Sequence, residues 1–449
     1  MTTRRGAGLS LATAALFVVA NMIGTGVFTS LGFQVAVVPS QFPALMLWVA
    51  GGLVALAGAM VYGELGAAFP RSGGEYNLLR RTFHPALGFA AGVVSATVGF
   101  AAPTALAAAA MADYARPLMP GIHATHFAAG VVVLFTVVHS FPVGWGAGVN
   151  NLLTGAKILL VVGFCGLGFV AGGVAEPVRF MPGDLAMMAS PGFAVSLVFV
   201  SYAYTGWNAA AYIVGDLRRP EKLAHALVGG TLIVTVLYVL VNLVILRTVP
   251  LSLLAGQVEI GYLAAERILG EAGGRVMSGF LAIVLASTVS AMVFLGPRVV
   301  KAMGEDEPWL GVLGRASRGG VPHRALVVQL AVSLILLYSG TFEQILLYAG
   351  FTLGLMTALT VAGVFVLRRG RVAGALRGRF RTPLYPLTPL FFLGMSGWAL
   401  GYSVLERPYE SLLGLATAAA GALAYFPIHG RGQPALRPGP GGPTGGAGG

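Results

Sequence analysis

The sequence predicts an all-α membrane protein with 12 transmembrane helices, and three observations carry that prediction. The 449-residue chain is 56% hydrophobic and 10% charged, with a mean hydropathy of +0.82. A water-soluble domain carries about 25% charged residues, so this chain lacks the polar side chains to cover a surface in water. Its apolar residues fall into 12 stretches, each near the roughly 20 residues a helix needs to cross the hydrocarbon core. Its basic residues alternate, loop by loop, between dense and sparse, as the positive-inside bias demands. Soluble enzymes, nucleic-acid binders and disordered scaffolds do not fit these observations.

The first span, 10–32, follows Arg4 and Arg5. It is too long for a secretory h-region and no small-residue cleavage pattern follows it, so no cleavable signal peptide is expected. Span two, 41–67, carries Glu64 near its end and leads through Arg71, Arg80 and Arg81 to span three, 86–112. Span four, 124–143, contains His139, and span five, 151–173, contains Lys157. Span six, 191–214, is followed by Arg218, Arg219 and Lys222 and then by span seven, 225–249. Span eight, 275–303, is overlong and is expected to end in an amphipathic tail near Lys301. Spans nine, 323–340, and ten, 344–367, precede a loop with Arg368, Arg369, Arg371, Arg377, Arg379 and Arg381; spans eleven, 384–404, and twelve, 409–428, complete the set. Runs such as Leu326–Leu337 are too continuously apolar for β-barrel alternation. The Gly/Pro-rich tail, 431–449, has no periodicity and is expected to be disordered. No linker separates domains, so residues 1–430 are expected to form one transmembrane unit.

If the N-terminus is cytoplasmic, 21 of the 28 Lys and Arg residues fall on the inside. Outside loops hold 6: Arg116, Arg179, Arg247, Arg267, Arg275 and Arg407. The remaining cation is Lys157, within span five. Both termini are therefore expected in the cytoplasm, in a plasma (inner) membrane. The net charge of +12 reflects orientation and needs no nucleic acid to explain it. A single cysteine, Cys165, excludes an intrachain disulfide and a Cys-rich metal site.

Two spans carry helix-breaking, polar interruptions. Span one contains Asn21-Met-Ile-Gly24-Thr25-Gly26-Val-Phe28, and span six contains Tyr202-Ala-Tyr204-Thr205-Gly206-Trp207-Asn208. Each lies about 15 residues into its span, and Thr25 and Thr205 are 180 residues apart. Five spans precede the sixth, so the matched breaks divide the chain into halves of opposite orientation, the sequence pointer to an inverted repeat around a central site. Unwinding a helix frees N–H groups at the start of one half-helix and C=O groups at the end of the other. A free amino acid offers one carboxylate and one ammonium to such groups. Glycine permits close backbone approach, and Thr25 adds a hydroxyl donor. The competing reading is close helix packing through small residues, in a chain with 65 glycines.

At these residues the sequence resembles the amino acid–polyamine–organocation (APC) superfamily, closest to its L-type amino acid transporter branch. Asn21–Phe28 resembles that family's first-helix motif and Tyr202–Asn208 its sixth-helix motif. Tyr62-Gly-Glu-Leu-Gly66, Pro70-Arg-Ser-Gly-Gly-Glu-Tyr76, Asp216-Leu-Arg-Arg-Pro220 and Pro297-Arg-Val-Val-Lys-Ala-Met303 match in order, so that the resemblance covers roughly residues 10–370. It implies the LeuT-type fold, a 5+5 inverted repeat (about 10–173 and 191–367) plus two extra helices (384–428). It also implies alternating access to a central amino acid site. That site would be formed by Met22, Ile23, Gly24, Thr25 and Gly26 with Tyr202, Ala203, Tyr204, Thr205 and Gly206. By the same resemblance, N–H groups near Thr25 and Gly26 and the Thr25 hydroxyl would take the carboxylate. The C=O groups of Met22, Tyr202 and Thr205 would take the ammonium. Tyr202 falls where the family has a gating aromatic, often Phe, and Trp207 where a residue supports the gate.

Lys157 is the expected coupling residue. An ionised lysine at membrane depth costs at least about 2.5 kcal/mol, and this chain otherwise prefers arginine, 25 to 3. Lysine can lose its proton and arginine cannot. The resemblance further implies that its ammonium approaches the unwound first helix, where sodium-coupled relatives bind sodium. The plainer alternative is a lysine snorkelling to the inner surface. Glu64 is either a helix-end charge paired with a nearby arginine or part of an inner gate; Asp216 and Arg218 are open to the same two readings. His123 and His126 form a weak metal signal without further ligands. His139 is explained by a hydrogen bond to a neighbour. Ser287, Thr288 and Ser290 could line a sodium site or bond back to helix carbonyls; with Lys157 present, no sodium is expected.

The expected function is secondary active, sodium-independent transport of amino acids by proton symport or exchange. Neutral substrates are favoured because no acid lies deep in spans one or six. The alternative is a polyamine or organic cation transporter of the same superfamily; a non-transporting sensor would need an output domain that the loops do not provide. Paired carboxylates, a His-rich metal motif and a P-loop are all lacking in the sequence, so no enzyme, cofactor or metal is expected. The expected partners are the amino acid and the lipid bilayer. Animal L-type transporters pair with a glycoprotein through a cysteine between spans three and four. None stands there, so no disulfide-linked subunit is expected.

Overall fold

A computed structural model describes residues 10–429 apart from 72, 117, 120, 122, 142–145, 172, 174, 176, 318–320 and 370–379. The expected disordered tail, and Arg318, Arg371, Arg377 and Arg379, lie outside these residues, as does the side chain of Asp216. Among the described residues every regular element is helical. In chain order they are α1 (Leu11–Met22), α2 (Gly26–Thr29), α3 (Leu31–Val37), α4 (Gln41–Ala68), α5 (Gly74–Thr82), α6 (Pro85–Val94) and α7 (Ala101–Ala115). There follow α8 (Ala124–His139), α9 (Gly146–Val170), α10 (Asp184–Met188), α11 (Pro191–Ala203), α12 (Leu223–Thr248) and α13 (Leu251–Leu254). The last are α14 (Ile260–Asp306), α15 (Gly311–Gly314), α16 (His323–Ser339), α17 (Phe342–Arg369), α18 (Leu387–Glu406) and α19 (Pro408–His429).

Local chemistry explains where these helices start and stop. Ser10 and Ser190 cap α1 and α11, their hydroxyls accepting from Thr13 N at 3.1 Å and Phe193 N at 3.2 Å. Pro191 sits at the first turn of α11, where its missing N–H costs nothing. The third span bends through a π-helical turn, Ser95–Gly99, between α6 and α7. Six helical stretches, 11–29, 41–68, 85–115, 220–248, 260–306 and 342–369, are long and apolar enough to cross a membrane, and shorter apolar helices cover 124–139, 155–170, 191–203 and 323–339. The chain is thus an all-helical, multi-span membrane protein.

Two boundaries differ from the sequence reading. The α-helix of span six stops at Ala203 rather than running to 214; a turn and a 3₁₀ segment, Ala209–Asp216, replace it. Span eight belongs to a longer helix that starts at Ile260 and kinks at Gly270, with φ +75°. Its expected amphipathic tail near Lys301 is present, with Lys301 bridging to Glu305 at 3.3 Å. The segment α5 was missing from the sequence reading because it is short and polar, and a search for 20-residue apolar runs passes over it.

The helices pack in two groups. α1, α4, α11 and α12 contact one another as one group, and α7, α8, α14 and α16 as the other. α9 touches α12 and α14, and α17 touches α11, α4 and α7, so both bridge the groups. The close approach of α4 to α12 is made by small residues. A Cβ at Gly63 would stand 2.8 Å from the Ala224 Cα, and one at Gly52 would stand 2.3 Å from the Thr235 methyl.

Candidate functional site at two facing helix breaks

α1 ends at Met22, where Ile23 N still bonds Val19 O at 3.0 Å, and helical structure resumes at Gly26. Among the described residues the N–H groups of Thr25, Gly26 and Val27 make no backbone hydrogen bond. α11 ends at Ala203, and the chain turns through Gly206 at φ +101°, a left-handed conformation that favours glycine. The two breaks lie against each other. A Cβ on Gly26 would sit 2.4 Å from the Ala203 Cα, and one on Gly206 would sit 2.8 Å from the Asn21 carbonyl carbon. Two interruptions 180 residues apart therefore form one constellation of loose backbone groups.

Most of the expected residues converge here. Thr25 is buried, with its hydroxyl beside the Tyr202 phenol. Ile23, Gly26 and Ala203 are buried around it, and Gly24, Thr205 and Gly206 are partly exposed. The carbonyls are unequally available. Met22 O accepts the Tyr238 hydroxyl of α12, and Tyr202 O accepts Thr205 N at 2.9 Å and Thr205 Oγ1 at 2.6 Å. Thr205 O accepts no backbone hydrogen bond among the described residues. Tyr204 turns away from Thr25: its hydroxyl donates to Trp48 O at 2.9 Å and its ring meets Trp48 and Tyr238. Trp207 packs edge-on against Tyr62, with ring centroids 4.7 Å apart, and against Phe392.

The remaining candidates lie around this centre. Lys157 is buried at 6% exposure, and its Nζ donates to Thr288 Oγ1 of α14 at 3.0 Å. The lysine and one of the three candidate hydroxyls of span eight thus meet directly. Thr288 also bonds back to Val284 O at 3.2 Å, and Ser290 meets His139 Nε2 at 2.8 Å. Glu64 is fully buried. Its carboxylate accepts both arms of Arg368, at 2.8 and 2.7 Å, and Thr382 N at 2.7 Å. The paired arginine is therefore in α17, and Arg368 also stacks over Tyr385. His123 and His126 stack on each other, with His126 bonded to Tyr338 at 2.9 Å. Among the described residues no group of three His, Cys, Asp or Glu could hold a metal ion.

Sequence reasoning missed Tyr238, Glu75 and Asn208 as members of the constellation. Tyr238 lies in the apolar run of span seven, where its one signal is a hydroxyl at membrane depth. Glu75 stood in a recognised motif, but nothing in the sequence tied it to span six. Its Oε1 accepts the Tyr62 hydroxyl at 2.7 Å and the Asn208 amide at 3.1 Å.

The family profile described as "Amino acid permease" matches residues 9–405. Among curated proteins, the b(0,+)-type amino acid transporter 1 of Mus musculus is 28% identical over 423 residues, covering 91% of this chain and 85% of the relative. The serine/threonine exchanger SteT of Bacillus subtilis is 26% identical over 445 residues, covering 93% of this chain and 96% of SteT. The large neutral amino acids transporter small subunit 2 of Homo sapiens is 27% identical over 442 residues, covering 93% and 79%.

Proposed function

The chain belongs to the amino acid permease family of the APC superfamily, and we propose that it carries neutral amino acids by alternating access, without sodium, by proton symport or substrate exchange. The observation that carries this reading is the abutment of the two helix breaks at Gly26–Ala203 and Gly206–Asn21. The contact of α4 with α12, α7 with α14 and α8 with α16 pairs spans two with seven, three with eight and four with nine. That pairing favours a 5+5 inverted repeat (10–173 and 191–367) followed by two helices, within one transmembrane unit of 12 spans. The names of the relatives, which include an exchanger and a carrier of large neutral amino acids, favour exchange and neutral substrates.

In this reading the substrate carboxylate takes the N–H groups of Thr25, Gly26 and Val27 and the Thr25 hydroxyl. The ammonium takes Thr205 O first. It shares Tyr202 O and Met22 O with their present donors, each carbonyl having a second lone pair. Tyr202 shields the site, and Trp207 holds the break of span six against α4. The Lys157 ammonium, on the Thr288 hydroxyl, supplies the positive charge a sodium ion would otherwise bring. The positive-inside bias favours cytoplasmic termini in a plasma membrane. The lack of a cysteine between spans three and four favours function without a disulfide-linked subunit.

The test is uptake of labelled amino acids and polyamines into proteoliposomes in sodium-free buffer, with and without an inward proton gradient and with and without preloaded substrate. Saturable amino acid uptake driven by the gradient supports symport, and uptake only into preloaded vesicles supports exchange. Polyamine uptake with silence across the amino acids overturns the carboxylate site.

A further inference from the structure

α5 lies at one end of the span-six break and closes against it. Gly74, at φ +52°, leaves room for the Tyr212 ring, which a Cβ there would meet at 2.4 Å. The next residue, Glu75, is 2% exposed. Its carboxyl bridges three elements: α5 itself, α4 through the Tyr62 hydroxyl, and the break of span six through the Asn208 amide. Both donors reach Oε1. The Glu75 backbone engages the Tyr212 hydroxyl, which also meets Ser95.

Every one of these partners is neutral. The cations of α5 and its approach are turned elsewhere: Arg80 to Glu307 at 2.9 Å and the Tyr76 hydroxyl, Arg81 to Asn77, and Arg71 to Asp306 at 3.0 Å. From α17 it is the Thr360 hydroxyl that meets Tyr62, and the acids ending α14, Asp306 and Glu307, face Arg71, Tyr76 and Arg80. The titratable groups against the Glu75 carboxyl are thus Tyr62 and Tyr212, with no charged partner among the described residues. A carboxylate enclosed by neutral dipoles loses hydration that they replace only in part, whereas the same carboxylate in water loses none.

We propose that Glu75 is a proton-bearing positioning residue of the transport cycle: neutral, it ties α5 and α4 to the span-six break, and ionised, it drives α5 off that break and opens this end of the pathway to water. The proposal rests on the alternating-access reading and adds to it a gate residue with a chemical state. Burial pushes the Glu75 carboxyl up from 4.5 to about 7 in the closed arrangement, against the downward pull of the Tyr62 and Asn208 donors. A raised value in the closed state means closure is fully supported below the water-exposed value. That support is lost as pH rises to the closed-state value, by roughly tenfold in the open-to-closed ratio per pH unit.

The experiment follows hydrogen–deuterium exchange of α5 peptides in the reconstituted full chain from pH 5 to 8, corrected for intrinsic exchange, beside amino acid uptake with pH stepped on each side of the bilayer separately. The wild type should lose α5 protection as pH rises toward about 7, and uptake should rise with pH on the α5 side. E75Q keeps the shape and the acceptor without the proton, so it should hold α5 protected throughout and flatten the uptake profile. Y62F removes a donor that favours the charged form and should move the transition to higher pH; it serves should E75Q not fold. Loss of protection in E75Q parallel to the wild type, or an unshifted transition in Y62F, overturns the proposal. Uptake of no substrate, with the exchange transition intact in the wild type and abolished in E75Q, overturns the transport reading and leaves the Glu75 latch standing.

Discussion

At the scale of single residues, the chemistry at the centre is a matter of which polar groups remain uncommitted. Thr25 contributes a hydroxyl and an N–H without a backbone partner. Thr25→Val should raise the KM for amino acid uptake roughly 10- to 100-fold, the loss of one hydrogen bond to a charged group being about 1.5–3 kcal/mol. Thr25→Ser should stay near wild type, and concentration-dependent uptake checks both. Lys157→Met removes a buried charge whose donor bond goes to Thr288. It should abolish the response to a proton gradient while the protein still folds, read as uptake with and without the gradient. Tyr202, Thr25 and Lys157 were legible in the sequence because each is a polar group at an apolar depth. Tyr204 was equally visible there, yet its hydroxyl serves Trp48 of α4. Residue type marks a polar group in a span, but the direction of its side chain depends on neighbours the sequence does not name.

At the scale of elements, two short breaks matter more than the long helices that carry them. Gly206 combines a left-handed backbone with a Cβ direction blocked by Asn21. Gly206→Ala should therefore eliminate uptake in protein that remains monodisperse in detergent. Gly401→Ala in α18, where a Cβ meets nothing within 4 Å, should have no effect. The apolar helices were legible because crossing hydrocarbon forces a run of about 20 apolar residues. The 3₁₀ segment after Gly206 and the polar α5 are under no such demand. They form because Tyr212, Asn208 and Tyr62 meet Gly74 and Glu75 across the fold, and that meeting leaves no periodic trace.

At the scale of the whole molecule, distant segments are tied by a few buried polar contacts. Glu64 joins α4 to Arg368 of α17 and to Thr382 ahead of α18, across 304 and 318 residues. Removing one side of a buried pair strands the other, so Glu64→Gln should lower stability by roughly 3 kcal/mol. A fall in the detergent melting temperature would show it, and an unchanged temperature would mean that Arg368 finds water instead. The sequence by itself determined the helical class, the membrane setting, the position of both breaks and the family, because hydrocarbon solvent imposes those patterns residue by residue. Tertiary structure alone decided that the breaks touch, that Lys157 meets Thr288, that Glu64 pairs with Arg368 and that Glu75 is sealed among neutral donors. Those outcomes depend on which helix faces abut, and contacts between segments hundreds of residues apart are set by packing rather than by local pattern.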